Sequence, residues 1–226
     1  MAIANRKFRS SMLLSTAMAA AFAVPGVAHA QLVNSGDLVG SVDSDGNTGR
    51  LTVVDATPTQ TEMTVLSRVV VANWNRFNVT TGTTVNVING TVDPTATLVN
   101  RVIGASPSDI SGTINAPDVN LWLINQNGIL FGNGASVNSA SFFASTLDVD
   151  DQELFDFYDN ADPALNGTGT LNFGSSLGNP IRTTSPNVTF VTDGSLAFVS
   201  ERLNLDASFD ANSGRVSFIT AADVDV

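Results

Sequence analysis

The sequence predicts an all-β protein built as a solenoid of stacked strands. Short runs of Val, Ile, Thr and Phe recur along the chain, separated by Gly, Asn, Asp and Ser, and helical periodicity is nearly absent. The C-terminal third also repeats itself, because segment 194–200 (GSLAFVS) recurs 20 residues later as segment 214–220 (GRVSFIT). A strand repeat near 20 residues is what one coil of a solenoid would produce. A chance similarity within a β-sandwich is the alternative that two copies leave open.

The repeat aligns apolar residues that a solenoid would stack. Leu196 aligns with Val216, and Phe198 aligns with Phe218. Successive coils of a parallel β-helix lie about 4.8 Å apart, so these pairs would form apolar columns facing inward. The corners between strands need residues that tolerate a positive φ, as Asn and Gly do. The candidate corners are 125–128, 132–134 and 212–214.

Residues 1–30 have the features of a secretory signal peptide. Three basic residues precede an apolar stretch at 12–24, and an A-x-A cleavage site follows. The predicted site comprises Ala28 and Ala30, with Gln31 as the first residue of the mature chain. The apolar stretch is shorter than the ~20 residues that a bilayer span needs, and no later segment approaches that length. The sequence therefore predicts export and no stable membrane span.

Removal of this peptide would exclude most catalytic chemistry. The only Lys (Lys7) and the only His (His29) lie inside it, and the chain has no Cys. The mature chain, residues 31–226, would therefore lack nucleophile–histidine pairs, histidine zinc sites and Schiff-base lysines. We expect no enzyme activity, no cofactor, no metal and no disulfide. Stability must then come from packing and from backbone hydrogen bonds.

The mature chain is strongly acidic. Three of the ten basic residues lie in the signal segment, which leaves seven arginines against 21 acidic residues and a formal charge of −14. No basic patch is available to neutralise phosphates, so we expect no nucleic-acid partner. Binding to anionic membrane surfaces is disfavoured for the same reason. The length suits one domain with a substantial core.

One short helix interrupts the strand pattern. Asp150 and Glu153 have the spacing of a capping box, and Val149 and Leu154 have that of a hydrophobic staple. These signals predict a helix of about two turns over 151–158, on the outside of the solenoid. The side chains that we expect it to bury are Leu154, Phe155 and Tyr158.

Acidic residues offer three candidate sites, each with a simpler interpretation. Segment 43–47 (DSDGN) resembles part of a calcium loop, but Thr48 and Val54 stand where that loop needs Gly and Glu, so a turn is favoured. A second group is interpreted as a solvated acidic edge rather than a cation site; it comprises Asp148, Asp150, Asp151, Glu153, Asp156 and Asp159. A glycosidase or lyase site can be imagined from Asp193, Asp206, Asp210 and Arg215, but no motif specifies it.

The most specific pattern lies in 100–148, with a second part upstream at 74–79. Its components are Trp74-Asn75-Arg76-Phe77-Asn78-Val79, Asn100-Arg101-Val102, Ser108-x-Ile110-x-Gly112-x-Ile114, 119–124, Asn125-Gln126-Asn127-Gly128-Ile129, Phe131-Gly132, Ala135-x-Val137-Asn138 and 144–148. In these residues the chain resembles the two-partner secretion domain, the filamentous-haemagglutinin-type N-terminal domain of exported bacterial adhesins. Gln126 stands where the family usually has Pro. We expect the turn to survive, because Asn127 and Gly128 tolerate a positive φ.

The resemblance implies a right-handed parallel β-helix with an N-terminal cap of extra strands and a short external helix. The cap and first strands would occupy 31–87, and further coils 88–226. In the family the last coil continues into a long repeat region, so we expect the chain, which ends at Val226, to be truncated or an unusually short member.

The resemblance also implies a function. The chain would be recognised by the periplasmic domains of an outer-membrane transporter, reach the cell surface or medium through the periplasm, and template β-helix folding of an adhesin-type protein. Segment 69–87 is expected to pair with the transporter by β-augmentation. The residues implied in recognition or secretion are Trp74, Phe77, Asn78, Asn100, Arg101, Asn125, Asn127, Gly128 and Ile129. For the turn at 125–129, a structural role and direct transporter contact both stay open, and the structural role is favoured.

The alternative function is that of a stand-alone secreted β-helix that binds ligands. Its solenoid wall would then contact a host cell, a neighbouring cell or a polysaccharide. Secretion and adhesion are compatible in one chain, because the family domain usually leads an adhesin.

Overall fold

The computed structural model describes residues 35–158, 171–174 and 176–221, and the backbone of 224–225. Within these residues the chain forms a 3-10 turn at Ser35–Asp37, one α-helix (α1) at Asp151–Tyr158, and 18 β-strands. Strands β1 to β18 are, in chain order, Leu38–Asp43, Leu51–Thr57, Gln60–Val65, Val69–Trp74, Thr84–Asn89, Ala96–Val102, Ser108–Ile110, Thr113–Ile124, Ile129–Phe131, Ser136–Ser145, Asn172–Phe173, Ile181–Thr183, Thr189–Thr192, Leu196–Ser200, Leu203–Asn204, Ser208–Ala211, Val216–Thr220 and Val224–Asp225.

The coil strands stack into three faces around a common axis. The first face contains β3, β5, the first halves of β8 and β10, β13 and β16. The second face contains β4, β6, the second halves of β8 and β10, β14 and β17. The third face contains β7, β9, β12 and β15. All these pairings are parallel, as expected when each strand lies one full turn of chain from its neighbour. The predicted parallel β-helix is confirmed.

Strands β8 and β10 pass from the first face to the second without a break. β8 pairs with β5 through residues 113–115 and with β6 through residues 119–124. β10 pairs with β13 through residues 136–139 and with β14 through residues 142–145. A strand that bends at the corner keeps its buried backbone groups hydrogen-bonded on both faces. These two strands therefore join the first and second faces into one continuous sheet.

The 20-residue repeat corresponds to two neighbouring coils. Leu196 is the Cα partner of Val216, and Phe198 that of Phe218, in the parallel pairing of β14 with β17. The Phe198 and Phe218 rings are stacked, with centroids 5.8 Å apart and planes at 14°. Phe198 is fully buried, whereas Phe218 is 51% exposed, because no described coil lies over β17. The predicted apolar columns are confirmed, and they are open at this end.

Aromatic side chains fill the interior of the later coils. Phe131 meets Phe190 edge to face with centroids 4.9 Å apart, and Phe142 stacks on Phe190 at 5.7 Å. Phe198 meets Phe190 edge to face at 5.1 Å. Such pairs add about 0.5–1.5 kcal/mol each to the free energy of burial. Interlocked rings thus provide the cohesion that a chain without disulfides needs.

Two antiparallel strands close the N-terminal side of the solenoid. β1 pairs with β4 on the second face, and β2 pairs with β3 on the first. They occupy strand edges that would otherwise be open to pairing with another chain. β3, β4 and β5, which also fall in the segment 31–87, already pair in parallel as coil strands.

The glycine corners arise from two different causes. Gly128 and Gly134 have φ values of 107° and 81°, in the region that favours glycine, as predicted. The chain bends at 212–214 as predicted, but Gly214 does not have the positive φ that was expected of it. A Cβ at Gly214 would overlap the backbone of Gly194 in the coil beside it. Glycine is needed there because the two coils approach closely.

Helix α1 has the predicted bounds and leaves the solenoid after β10. The Asp150 carboxylate caps it by accepting a 2.8 Å hydrogen bond from the Gln152 backbone N–H. The predicted return bond of the capping box is replaced by another contact, because the Glu153 carboxylate accepts both the backbone and side-chain N–H groups of Asn172. Leu154 and Phe155 are buried as predicted, and Tyr158 is buried in large part but keeps some exposure.

Helix α1 and β11, which together we call the external segment, cover an apolar strip on the outside of the second face. We define this outer strip by the outward-facing residues of β4, β6 and β8, which are Val69, Val71, Val99, Trp122 and Ile124. The Trp122 ring stacks on Phe143 at 4.2 Å, and Phe173 of β11 stacks on Phe143 at 5.1 Å. The external segment therefore has a small hydrophobic core of its own, separate from the solenoid interior.

Candidate functional site

The upstream part of the motif forms a buried network across three coils. Trp74, at the end of β4, donates its indole N–H to the Asn100 side-chain oxygen over 3.1 Å. Asn100 in turn donates to the Trp122 carbonyl oxygen over 3.2 Å. Phe77 packs its ring edge-on against Trp74, with centroids 5.4 Å apart at 80°. Trp74, Phe77 and Asn100 are at most 2% exposed, so the folded domain presents none of them to a partner.

Asn78 has a structural role at the start of the third face. Its side-chain oxygen accepts a 2.9 Å hydrogen bond from the Asp109 backbone N–H in β7. Its neighbour Val79 forms an isolated parallel bridge with Ile110. Asn78 therefore holds the first turn of the third face in register with β7.

The turn at 125–129 is held by its own two asparagines. Asn125 is fully buried. Its side-chain amide donates to the Ser106 carbonyl oxygen and to the Ser108 hydroxyl, each at a distance of 3.0 Å. Its side-chain oxygen accepts the Asn127 backbone N–H at 2.9 Å, and its carbonyl oxygen accepts the Gly128 N–H at 3.0 Å. The turn survives without the family proline, because these bonds and the positive φ of Gly128 define it.

The same turn binds the coil that precedes it. Asn127 donates its amide N–H to the Gly104 carbonyl oxygen over 2.8 Å. A Cβ at Gly104 would overlap the Asn75 carbonyl oxygen, so only glycine fits there. Ile129 is 1% exposed in the solenoid interior. Ser108 was part of the sequence pattern, whereas Gly104 was not, and only its contacts place Gly104 in this unit.

Arg101 joins β6 to the external segment. Its Nε donates to the Asp148 carboxylate over 2.8 Å, and one terminal nitrogen donates to the Val149 carbonyl oxygen over 2.6 Å. Its other terminal nitrogen pairs with the Asp151 carboxylate. The Arg101 side chain is only 11% exposed. Arg101 thus fixes the first turn of α1 over the outer strip, and two members of the predicted acidic edge are its ion-pair partners.

Three comparisons with known proteins bear on this arrangement. A family model described as "TPS secretion domain" matches residues 30–225. The chain belongs to the TPS secretion domain family. The match begins where the signal segment was predicted to end. The residues predicted for signal cleavage, Ala28, Ala30 and Gln31, lie outside the described residues.

One solved structure supports the fold of this two-partner secretion domain. The secretion domain of HMW1 from Haemophilus influenzae matches with a TM-score of 0.62 at 19% identity, over 84% of this chain and 45% of that chain. This chain thus spans less than half the length of the HMW1 chain. A filamentous hemagglutinin secretion domain matches with a TM-score of 0.40 at 10% identity, over 82% of this chain and 99% of that chain. No curated protein matches the sequence.

The acidic turn of the secretion domain is an ion-paired structural element. The Asp43 carboxylate accepts hydrogen bonds from the Asn47 backbone N–H at 2.9 Å and from the Ser67 hydroxyl at 2.8 Å, and it pairs with Arg50 at 3.2 Å. Burial alone would raise the pKa of Asp43, but these hydrogen bonds and the Arg50 charge outweigh it and lower the pKa below 3.8. The carboxylate that suggested a calcium loop is thus used within the protein.

Tyr158 at the end of α1 reports on the docking of the external segment. Burial raises the pKa of Tyr158 to about 12, although hydrogen bonds with Trp122 and Thr97 act in the opposite direction. The Tyr158 and Trp122 rings meet edge to face with centroids 6.1 Å apart.

In the part of the chain that the structure describes, no helix is long and apolar enough to span a membrane.

Proposed function

We propose that the outer-membrane transporter recognises this secretion domain before the domain folds. The observation that carries the proposal is the burial of the motif: Trp74, Phe77, Asn100, Asn125 and Ile129 are all at most 2% exposed. A partner that binds the folded domain would not contact these side chains. A partner that binds the unfolded chain would meet every one of them. The specific pattern in the sequence is therefore best explained as one that serves recognition first and packing afterwards.

The strand edges support the same order of events. β-Augmentation requires an unpaired strand edge. In the folded domain β4 lies between β1 and β6, and β5 lies between β3 and β8. Segment 69–87 therefore has its main hydrogen-bonding positions occupied on both sides after folding. We propose that this segment pairs with the transporter's periplasmic domain in the extended chain, and that it exchanges that pairing for the solenoid after export.

Slow folding and the lack of cysteine favour export before folding. Parallel coils depend on contacts between residues far apart in sequence, which slows folding. A chain without cysteine cannot be locked by a disulfide in the oxidising periplasm. Folding outside the cell would then oppose backward movement without ATP. The chain is exported into the medium or to the cell surface in this account.

The open end of the solenoid would serve as the folding template. Val216 and Phe218 of β17 are 39% and 51% exposed, although both continue columns that are buried one coil earlier. No described strand pairs with the outer edge of β16 or β17. A following coil could add backbone bonds to these edges and cover both side chains. We propose that adhesin-type coils extend the solenoid from this face.

The proposal predicts that binding to the transporter depends on the folding state. The purified periplasmic domain of the transporter should bind chain freshly diluted from denaturant and should not bind chain that has refolded. Trp74→Ala and Phe77→Ala should weaken the binding of unfolded chain. Phe190→Ala is the matched control, because Phe190 is also fully buried but lies outside the motif. Equal loss of binding in all three variants, or equal binding of refolded chain, would contradict the proposal.

A cell-based measurement tests the same function. The full chain is expressed with and without the transporter, and the amount in the medium is measured. Release that requires the transporter supports the proposed role. Equal release without it, or retention as a folded periplasmic protein, contradicts that role.

A further inference from the structure

The outside of the third face carries a groove that the buried motif does not explain. Asp109, Leu130 and Arg182 occupy successive outward positions, because Leu130 is the Cα partner of Asp109 in β7 and of Arg182 in β12. A groove of about 330 Å³ runs beside this column. That volume is at the lower end of the range for small-ligand sites. Its other wall is formed by the corner residues Pro107, Asn127, Gly128, Asn179 and Pro180.

Among the described residues, Arg182 is the only cationic side chain that lines this groove, and its guanidinium has no hydrogen bond or ion pair with any of them. Other arginines have partners: Arg50 pairs with Asp43 and Arg202 donates to the Gly178 carbonyl oxygen. A guanidinium presents a rigid fork of N–H donors that matches the two oxygens of a carboxylate. The exposed Arg182 is therefore available for an external carboxylate.

The opposite wall of the groove offers hydrogen-bond acceptors. The amide N–H groups of Asn127 and Asn179 donate to the carbonyl oxygens of Gly104 and Gln126. Among the described residues nothing donates to the side-chain oxygens of these two asparagines, so these oxygens stay available to hydroxyl donors. Asp109 adds a carboxylate at the other end of the column, one oxygen of which accepts the Ser111 hydroxyl. Between the polar ends lies the half-buried side chain of Leu130.

We propose that this groove binds a saccharide that carries one carboxylate. Arg182 binds the carboxylate, Leu130 and the prolines contact the apolar face of a sugar ring, and Asn127, Asn179 and Asp109 accept hydrogen bonds from hydroxyl groups. Sugars supply many hydroxyl donors, which is what a wall of free acceptors requires. A polyanion is disfavoured, because Asp109 and the net charge of the mature chain would repel additional negative groups.

An acidic peptide fits this groove less well. Extended peptides gain most of their affinity by pairing with a strand edge. β9 pairs with β7 on one side and with β12 on the other, so the floor of the groove has no free edge. Recognition there must use side chains alone, which favours the hydroxyl-rich ligand.

This site exists only in the folded domain. Its walls come from three successive coils, and its corner wall includes the turn at 125–129 whose buried side chains belong to the secretion motif. Recognition by the transporter and saccharide binding would therefore use the same turn at different times. The inference goes beyond the proposed secretion function, and each can fail without the other.

Isothermal titration calorimetry of the purified, folded chain with glucuronosyl-xylobiose, a trisaccharide with one carboxylate, tests the proposal. Xylotriose serves as the neutral control, and the tripeptide Gly-Glu-Gly as the acidic peptide. We expect the acidic trisaccharide to bind at least tenfold more tightly than either control. The Arg182→Gln variant should bind the acidic trisaccharide at least tenfold more weakly than the parent chain does.

Arg215→Gln is the matched control variant, because Arg215 is also exposed and without a partner among the described residues but lies outside the groove. It should bind like the parent chain. No binding of the acidic trisaccharide at millimolar concentration, an unchanged affinity in Arg182→Gln, or equal binding of the tripeptide would overturn the proposal. Both variants should be released into the medium like the parent, which separates this test from that of secretion.

Discussion

The indole N–H of Trp74 donates to the side-chain oxygen of Asn100 over 3.1 Å, in the neighbouring coil. The Asn100 side-chain amide in turn donates a hydrogen bond to the Trp122 carbonyl oxygen in the next coil. A single buried amide thus joins three coils, and both tryptophans of the chain meet it. These residues belong to the sequence motif of a secretion domain, yet in the folded state their contacts are all internal. The folded structure alone would class them as core residues.

Asn100→Leu should destabilise the domain by about 1–3 kcal/mol, because the buried Trp74 N–H and the Trp122 carbonyl oxygen would each lose a partner. Urea unfolding followed by tryptophan fluorescence measures the change. Asn138→Leu is the control: Asn138 also donates to a neighbouring asparagine, at 2.9 Å, but is half exposed on the outside of the first face. Asn138→Leu should lower the free energy of unfolding by less than about 1 kcal/mol. Equal destabilisation by the two variants would contradict the role assigned to Asn100.

Arg101→Gln should release α1 from the outer strip. The variant leaves Asp148 and Asp151 without their cationic partner. We expect the free energy of unfolding to fall by about 1–3 kcal/mol, and no more, because both carboxylates are 37% exposed. Hydrogen exchange should increase in 151–158 and stay unchanged in β13 and β14. Protection of the helix at the parent level would show that Arg101 is not needed to hold it.

Tyr158 should ionise only near pH 12 in the folded domain, because burial raises its pKa to about 12. It is the only tyrosine, so the ultraviolet absorbance of phenolate reports on it alone. Because the folded pKa lies above the unfolded value of 10.0, its contribution to stability is complete below pH 10 and is lost as the pH rises through 12. Chain unfolded in urea should titrate near 10, and so should Arg101→Gln if α1 is released. A native titration near 10 would mean that the segment is not docked.

Asp43→Asn should lower stability at neutral pH by about 1–2 kcal/mol, because the hydrogen bonds to the carboxylate and the Arg50 pair weaken. The folded pKa of Asp43 lies below 3.8, so the stabilisation is present above pH 3.8 and is lost as the pH falls through the folded pKa. Urea midpoints of parent and variant should therefore differ at pH 7 and converge in strong acid. A difference that persists unchanged at the lowest pH would contradict the assignment to the ionised carboxylate.

Phe198 and Phe218 should respond very differently to truncation, although they are Cα partners in stacked coils. Phe198→Ala leaves a cavity in the closed interior and should cost about 3–5 kcal/mol. Phe218→Ala removes a ring that is already 51% exposed and should cost less than about 1.5 kcal/mol. Thermal unfolding measures both. Similar losses would mean that the last described coil is covered in solution.

Repetition made the solenoid predictable from sequence. Leu196 and Phe198 recur at the spacing of one coil, so a short pattern reported which residues stack. Helix α1 was predicted with its bounds, because the Asp150 cap and the Val149–Leu154 staple are local signals. The contact of Glu153 with Asn172 was missed, since it depends on a segment that returns to the helix from farther along the chain.

The candidate site was less predictable than the fold, because the roles of its residues depend on contacts with residues distant in sequence. The motif identified Arg101, but only the fold shows that its partners lie 47 and 50 residues away. Arg182 was not singled out, because an exposed arginine in a short strand has no local signature. Arg182 becomes a candidate binding residue only because three coils form a groove beside it.

The most direct test of export before folding uses the absence of cysteine. Asn115 and Asn138 are Cα partners on the outside of the first face, with side chains in contact, and strands about 4.8 Å apart permit a disulfide between such partners. The double variant Asn115→Cys/Asn138→Cys, locked by oxidation in the periplasm, should stay there and be released when a reductant is added. Each single variant should be exported normally. Disulfide-linked, folded domain that reaches the medium as fast as the parent would contradict the account.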